Sequence, residues 1–259
     1  MLASSATFAG NAYLTGHDIL LHGGQSGYDV AILDYLREGI ARADYDIVYI
    51  NGGVTNPTGR YDAAGFGSTT TVELGAINSA AEFAAAIAGA DAIVYPWAPA
   101  HSAADVAEFN SYSAEIAAFF NAGGDIFANS SINKPTYYDF LPPSAAASGP
   151  NLPGNPSSGF VATPEGLAQV GMTNDMMNGD PTHNTFTSFD PGAFTVMERY
   201  GPTNEIISLG LRGGVITDDI IVTDDIVTDD STVPVPGTVG IMGLALAALA
   251  MIRRRRSIR

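Results

Sequence analysis

Two hydrophobic periods alternate along the first half of the chain. Short runs that are apolar at nearly every position have the length and composition of buried strands. Between them lie longer segments in which apolar residues recur every three or four positions, such as Leu33, Leu36 and Ile40. The predicted strands are 11–18, 46–53, 91–97 and 125–131, and the predicted helices are 28–43, 79–90 and 102–124. Apolar strands that alternate with helices are typical of a parallel sheet covered on both faces.

The pattern loosens in the second half of the chain. Residues 135–156 are rich in Pro, Ala, Ser and Gly and are predicted to form a long loop, and 61–75 is predicted to be irregular. The later predicted elements are a short helix at 163–171 and a closing β-pair at 193–201 and 205–214. Thr163 is a suitable N-cap for that helix, and Pro164 suits its first position. We expect these segments to complete one α/β domain spanning 11–214.

Charge is distributed unevenly along the chain. All 27 acidic residues precede Gly237, whereas five of the 11 basic residues follow it, so the residues before Gly237 carry a net charge of about −21. Such a surface repels nucleic acid and anionic lipid, which argues against nucleic-acid binding. The chain contains no cysteine, so disulfides, thiolate metal sites and a cysteine nucleophile are excluded. This composition suits an exported, well-solvated protein.

The C-terminal tail contains an uncharged apolar segment at 237–252. As a helix it would span roughly 24 Å, slightly less than the bilayer core of about 30 Å. Four arginines, Arg253 to Arg256, follow it directly. A positively charged block stays on the cytoplasmic side, which places the preceding chain outside the cytoplasm. A buried core helix is the poorer interpretation, because the segment is apolar on all sides and ends in this arginine block.

The order of features in this tail resembles the PEP-CTERM sorting signal. The matching residues are Val233, Pro234, Val235, Pro236 and Gly237, then the apolar helix, then Arg253, Arg254, Arg255 and Arg256. The resemblance implies recognition by exosortase, a membrane protease-transpeptidase of bacteria that make exopolysaccharide. It further implies transient anchoring in the inner membrane, cleavage near the prolines, and a final location at the cell surface or outside the cell. This sequence departs from the family at Val235, where the family has Glu. The simpler alternative is a single-pass membrane protein that keeps its tail.

Two further segments flank the predicted domain. Residues 1–10 are small and mostly apolar, and we expect them to be the remnant of an export signal. Residues 215–232 contain Thr-Asp-Asp three times, and repulsion between like charges predicts an extended acidic spacer. The alternative for this spacer is a weak Ca²⁺ site, since carboxylate oxygens suit that ion. Its ligands would be Asp218, Asp219, Asp224, Asp225, Asp229 and Asp230. No other cofactor is expected.

The predicted domain resembles the class I glutamine-amidotransferase-like group of the flavodoxin-like fold. The resemblance rests on Leu-Thr-Gly-His-Asp at 14–18, after the first strand, and on the strand–helix–strand segment from Gly89 to Ser130. Amidotransferases carry a nucleophilic cysteine at a strand-to-helix turn. No cysteine is present, so the glutaminase chemistry of that family is not expected.

Histidine is the main candidate for chemistry in this domain. The chain has four histidines, His17, His22, His101 and His183, and each follows a predicted strand or lies in a predicted loop. Ligands of open α/β sheets bind beyond the carboxyl ends of the strands, where His17, Asp18, His101 and His183 could meet. Such a cluster would supply a general base or bind a divalent metal. The alternative is that His17 and Asp18 only stabilise a loop through hydrogen bonds.

Two functions follow from these observations. The first is an exported surface or matrix protein whose domain is a non-catalytic binding module, with a polysaccharide as a candidate ligand. The alternative is an exported glycan-directed hydrolase that uses His17 and Asp18 at the carboxyl rim of the sheet. Convergence of these residues with His101 would favour the hydrolase.

Overall fold

The structure is a computed structural model of the chain. It describes residues 9–20, 27–51, 57–96, 103–129, 136–141, 156–179, 181–182 and 184–213. Several sequence predictions lie outside these residues: most of the export-signal remnant, the acidic spacer with its aspartates, and the sorting tail with its apolar segment at 237–252. His22, His101 and His183 also lie outside them.

The described residues form a mixed α/β fold around one sheet. Its strands are β1 (Ala12–Thr15), β2 (Ile47–Asn51), β3 (Thr69–Glu73), β4 (Ala92–Pro96), β5 (Asp125–Asn129), β6 (Phe160–Ala162), β7 (Thr195–Tyr200) and β8 (Ile206–Leu211). They lie in the order β3-β2-β4-β5-β1-β8-β7-β6. The first five in this order are parallel to one another, and each of the last three is antiparallel to the strand before it.

The sheet is mostly parallel, as predicted, and the predicted closing pair forms its antiparallel strands β7 and β8, while the antiparallel β6 was not predicted. The connection between β7 and β8 is a short turn, and a short turn can join only antiparallel neighbours. Because β8 pairs with β1, this hairpin extends the parallel sheet directly and belongs to the same sheet. It also brings residues near 200 next to residues near 15.

Helices cover both faces of the sheet. They are α1 (Tyr28–Leu36), α2 (Thr58–Ala63), α3 (Ala80–Ile87), α4 (Ala103–Ser111), α5 (Ser113–Asn121), α6 (Pro164–Val170) and α7 (Asn174–Met177), with 3₁₀ turns at Arg42–Asp44 and Leu74–Ala76. Buried residues of α3, α4 and α5 join one hydrophobic core, on what we call the α5 face. Buried residues of α1, α2, α6 and α7 join the core on the other side, the α1 face.

Two predicted helices are shorter than their hydrophobic pattern. The segment predicted as 28–43 ends at Leu36, because Glu38 and Gly39 adopt positive φ values of 42° and 90° that no α-helix allows. The segment predicted as 102–124 is two helices that meet at Tyr112. The short helix α6 begins as predicted, with the Thr163 hydroxyl accepting a hydrogen bond from the Gly166 amide and Pro164 at its start.

Two edge strands and two short helices were missed by the hydrophobic pattern. β3 lies in 61–75, which was predicted to be irregular, and its exposed threonines give it little of the apolar character of a buried strand. β6 has only three residues and is recognisable only through its pairing with β7. α2 and α7 are also short, with six and four residues. Short elements at the margin of a sheet carry too few residues for a period to be measured.

None of the helices in the described part of the chain is long and apolar enough to cross a membrane.

Candidate functional site

The carboxyl ends of β1, β4 and β5 lie side by side. Their register pairs Asn129 with Thr15 on one side and with Pro96 on the other. The chain passes from β2 to β3 on one side and then crosses back to β4 on the other side of β2. In open α/β sheets, ligands bind beyond the carboxyl ends near such a reversal. This edge of the sheet is therefore the candidate ligand-binding edge.

His17 lies just beyond the carboxyl end of β1 and is fully buried. Its Nε2 lies 2.7 Å from Oε1 of Glu198 on β7. The backbone of His17 also forms an isolated antiparallel β-bridge with the backbone of Thr182. Gly16 makes this approach possible, because a Cβ at that position would lie only 2.0 Å from the carbonyl oxygen of Asn184. The Leu-Thr-Gly-His-Asp motif thus fixes β1 to the segment near residue 183.

Glu198 accepts further hydrogen bonds on its second oxygen. The hydroxyls of Ser208 and Tyr28 lie 2.6 and 2.9 Å from Oε2. Ser208 has one proton, which it donates to this carboxylate, so it accepts a hydrogen bond from the Thr15 hydroxyl 2.8 Å away. The Tyr13 hydroxyl lies 2.9 Å from the Tyr28 hydroxyl and donates to it in turn. We call this set the Glu198 network: Tyr13, Thr15, His17, Tyr28, Thr182, Glu198 and Ser208.

Every member of the Glu198 network has zero exposure to solvent. Burial raises the pKa of Tyr13 and Tyr28 well above the usual value, and the nearby Glu198 charge adds to the shift. Both hydroxyls therefore remain protonated and able to donate at neutral pH. A buried carboxylate is costly unless donors surround it, and Glu198 has donors on both oxygens. Hydrogen-bond donors and acceptors within the Glu198 network therefore pair with one another, and the network stabilises the fold.

The Thr182 hydroxyl completes the contacts of the His17 ring. Its Oγ1 lies 2.8 Å from Nδ1 and 3.4 Å from Nε2. A hydroxyl on the lone-pair axis of Nδ1 would lie much farther from Nε2, so Thr182 lies off that axis. Activation of a hydroxyl nucleophile by histidine requires a well-directed hydrogen bond between the two. Thr182, His17 and Glu198 have the residue types of a hydrolytic triad. Their hydrogen-bond geometry differs from that of an active triad, and all three are buried.

Asp18 is also buried, and its amide donates to the carbonyl of Pro181 at 3.2 Å. The structure thus brings two of the four predicted catalytic residues, His17 and Asp18, to the carboxyl edge. The other two, His101 and His183, lie outside the described residues, so the predicted cluster stays a prediction. No group of three or more His, Asp or Glu side chains that could hold a metal ion is found in the described ranges.

Sequence reasoning missed Glu198, the residue around which the network forms. It follows Met197 in a strand that also contains Thr195 and Arg199, and strict alternation would place the Met197 and Glu198 side chains on opposite faces. The pairing of β7 with β8 is irregular at Glu198, and both Met197 and Glu198 are buried. A β-bulge changes the direction of a side chain in this way. The signal in the sequence was a carboxylate, next to Arg199, inside a predicted strand.

A second charged pair lies on the α1 face. Asp29, in the first turn of α1, is fully buried, and Arg60 of α2 bonds it through Nε at 2.8 Å and also through Nη2. Burial raises the pKa of Asp29, and the Arg60 charge partly offsets this rise. The Tyr49 hydroxyl lies within the electrostatic influence of Arg60, and burial raises its pKa. Tyr49 and Arg60 therefore belong to one polar region beside β2.

The third polar feature of this edge is Asn129, the last residue of β5. Its side chain is fully buried, and neither its nitrogen nor its oxygen has a hydrogen-bond partner in the structure as described. Buried amides in folded proteins nearly always have partners. Asn129, in contrast, has two unmatched buried polar atoms, more than any other described residue.

Comparisons of the chain with protein-family models, with curated proteins and with solved structures give no match.

Proposed function

We propose that this chain is an exported protein of the cell surface or extracellular matrix, sorted through its PEP-CTERM-like tail. Its α/β domain is a flavodoxin-like, amidotransferase-like module that binds a ligand without performing chemistry on it. The partner of the tail is an exosortase-type membrane protease, and the inner membrane holds the protein only transiently. A polysaccharide is the candidate ligand of the domain.

The observation that carries the non-catalytic assignment is the state of His17. Its ring contacts Glu198 and Thr182, and it is fully buried. A general base must reach a proton of its substrate directly or through one water. A buried imidazole held between a strand carboxylate and a loop hydroxyl acts as a structural tie. The hydrolase alternative would require the Glu198 network to open before His17 could reach a substrate.

Strand order supports the flavodoxin-like assignment. The β3-β2-β4-β5 order has the same sequence of neighbours as the first four positions of a flavodoxin-like sheet, 2-1-3-4. β1 takes the fifth position although it comes first in the chain. The antiparallel β8-β7-β6 extension then continues beyond it.

The charge distribution supports the export assignment. The chain before Gly237 is strongly acidic, and an arginine block follows the apolar segment. Positive charge is retained on the cytoplasmic side of membranes. An acidic domain repels the anionic membrane surface, which favours release once the tail is removed.

The intact mass of the protein from its native cells tests the sorting proposal. We expect the medium or surface fraction to contain a chain that lacks everything after about Pro236, a boundary set by the tail motif. Val235→Glu, which restores the residue of the family, should be processed at least as fast. Replacement of Arg253 to Arg256 by glutamine should prevent membrane retention. A full-length chain that stays in the membrane fraction would show that the tail is a permanent anchor.

Release of reducing ends from the exopolysaccharide of the same cells tests the non-catalytic assignment. We expect no release above the blank from the wild-type protein. Release that disappears in both Asp18→Asn and His17→Gln, with Glu165→Ala as an exposed control, would favour the hydrolase alternative.

A further inference from the structure

The buried side-chain amide of Asn129 is not matched by the residues beside it in the sheet. The strand register places Asn129 between Thr15 and Pro96. Pro96 has neither an amide hydrogen nor a polar side chain. The Thr15 hydroxyl already donates to Ser208 and accepts from the His17 amide at 3.2 Å. The strand residues in register with Asn129 thus leave its side-chain amide without a partner.

The side chain of Asn129 belongs to the α1 face. Phe127, two residues earlier on the same strand, is part of the core on that face, and side chains two apart on a strand share a face. The polar region of Tyr49, Asp29 and Arg60 lies on the same face. The Tyr49 hydroxyl is buried and has no hydrogen-bond partner within the described ranges. Unmatched buried polar groups on this face thus include Asn129 and Tyr49, together with Thr69 on β3 and the hydroxyls of Tyr35 and Tyr61 on the helices. Asn129 differs from the others in that both of its side-chain polar atoms are unmatched.

The position of these groups agrees with that of a ligand site. Asn129 lies at the carboxyl end of β5, and Tyr49 lies on β2, the strand at which the chain order reverses. Unsatisfied buried amides persist where a ligand completes their hydrogen bonds, because free energy lost in the empty state is recovered on binding. A buried amide with a purely structural role would instead form hydrogen bonds with other groups of the chain.

The chemistry of the groups indicates the class of ligand. An amide presents an NH₂ donor group and a carbonyl acceptor side by side, which matches hydroxyl groups that both donate and accept. An anionic ligand would meet a chain with 27 acidic residues, and the Arg60 charge is already paired with Asp29. A cationic ligand would need a carboxylate, and those of Asp29 and Glu198 are occupied by Arg60 and His17. A neutral polyhydroxylated ligand fits this balance best.

We infer that Asn129 is the recognition residue of a saccharide-binding site at the carboxyl edge of the parallel strands, on the α1 face. Asn129 is as fully buried as His17, so a sugar reaches it only when this edge of the sheet opens, but its side-chain amide has no hydrogen bond to the described part of the chain that would be lost on opening. A neutral sugar unit then accepts a hydrogen bond from Nδ2 and donates one to Oδ1. This inference rests on the proposed function as a binding module, and it names the ligand class and the residue that selects it.

The test uses the full-length protein and three sugars. Glucose, N-acetylglucosamine and the anionic glucuronic acid are titrated while the Asn129 side-chain amide signal is followed by ¹⁵N NMR. We expect saturable shifts with at least one neutral sugar and weaker binding of glucuronic acid. Asn129→Leu, which preserves volume but removes both polar atoms, should weaken sugar binding about tenfold or more. Asn129→Asp keeps only the acceptors and should weaken it as well.

Asn11 provides the matched control at the opposite, amino end of the sheet. It is also buried, but its Nδ2 donates to the carbonyl of Leu36 at 2.8 Å. Asn11→Leu should lower the unfolding temperature and leave sugar affinity unchanged in the folded fraction. Asn129→Leu should leave the unfolding temperature unchanged or raise it, because it removes an unmatched amide.

The outcomes separate this inference from the proposed function. If no neutral sugar binds, or if Asn129→Leu binds as tightly as wild type, the assignment of Asn129 is wrong. A large destabilisation by Asn129→Leu would also overturn it, since it would reveal a structural role. None of these results bears on the mass of the processed chain or on the hydrolysis assay. Those two measurements test the proposed function separately.

Discussion

The two faces of the sheet are buried to a similar extent but are built differently. On the α5 face, aromatic rings pack against one another, as in the stacked pair Tyr95 and Tyr137 with centroids 4.9 Å apart. On the α1 face, the core surrounds two fully buried carboxylates, Asp29 and Glu198. Apolar packing depends on volume and tolerates small adjustments, whereas a buried carboxylate requires each of its donors. Small side-chain substitutions should therefore lower the free energy of unfolding more on the α1 face than on the α5 face.

Alkaline pH should give the largest effect, because it destabilises both faces together. Ten of the 11 tyrosines are buried, and burial raises the pKa of tyrosines on both faces, that of Tyr35 to about 12. Their contribution to stability is complete below the unfolded pKa of about 10 and is lost as the pH rises toward the folded values. Within this pH window, each buried tyrosine lowers the free energy of unfolding by about 1.4 kcal/mol per pH unit.

Urea unfolding at increasing pH, with tyrosinate absorbance as a second probe, measures this effect. We expect most tyrosines to ionise together with unfolding. Gradual ionisation of all 11 at the ordinary pKa while the fold persists would contradict the burial of these rings.

Removal of the carboxylate of Glu198 should give the largest effect of a single substitution. Glu198→Ala leaves His17, Tyr28 and Ser208 without their shared acceptor. The free energy of unfolding should fall by about 3–5 kcal/mol. Chemical denaturation measures it, and Glu165→Ala on the exposed side of α6 should change stability by only a few tenths of a kcal/mol. Similar values for the two variants would mean that the network contributes little.

The same chemical change on each face gives a direct comparison. Tyr28→Phe removes a donor to the Glu198 carboxylate and should cost about 1.5–3 kcal/mol, as for hydrogen bonds to charged groups. Tyr137→Phe removes a hydrogen bond to the Tyr95 carbonyl and should cost about 1 kcal/mol. Equal losses in thermal or chemical unfolding would remove the distinction between the faces.

The smallest expected effect concerns the outer surface of α1. Desolvation opposes ionisation of Asp34, but hydrogen bonds from Arg42 and Arg37 outweigh it and lower its pKa. Its contribution is present above the unfolded pKa of about 3.9 and is lost as the pH falls through the lower folded pKa. Asp34→Asn should cost less than about 1 kcal/mol at neutral pH, because the pair is partly exposed.

The cost of Asp34→Asn should diminish in acid, when the wild-type carboxyl is protonated too. Unfolding free energies of the two proteins across the acid range measure this convergence. A difference that stays constant with pH would rule out an electrostatic origin.

Parts of this fold follow from local sequence, and parts do not. Strands β1, β2, β4 and β5 were predictable because each is a short run of apolar residues. The closing pair of β7 and β8 was also predicted, although β7 contains Glu198 and Arg199 and only β8 is mainly apolar. β3 and β6 were not, since their pairing partners rather than their own residues make them strands. His17 and Asp18 were recognisable as unusual, but their burial was not.

By itself, the sequence determined the alternation of helix and strand, the cap of α6, and the separation of an acidic body from an arginine-ended tail. These properties depend on residues close together in the chain, where periodicity, capping and charge act directly. Only the tertiary structure decided that Glu198 meets His17, a residue 181 positions away. It also decided that Asn129 lies between Thr15 and Pro96, neither of which bonds its side-chain amide. Both outcomes depend on strand order and on a bulge in β7, which arise from packing of the whole sheet.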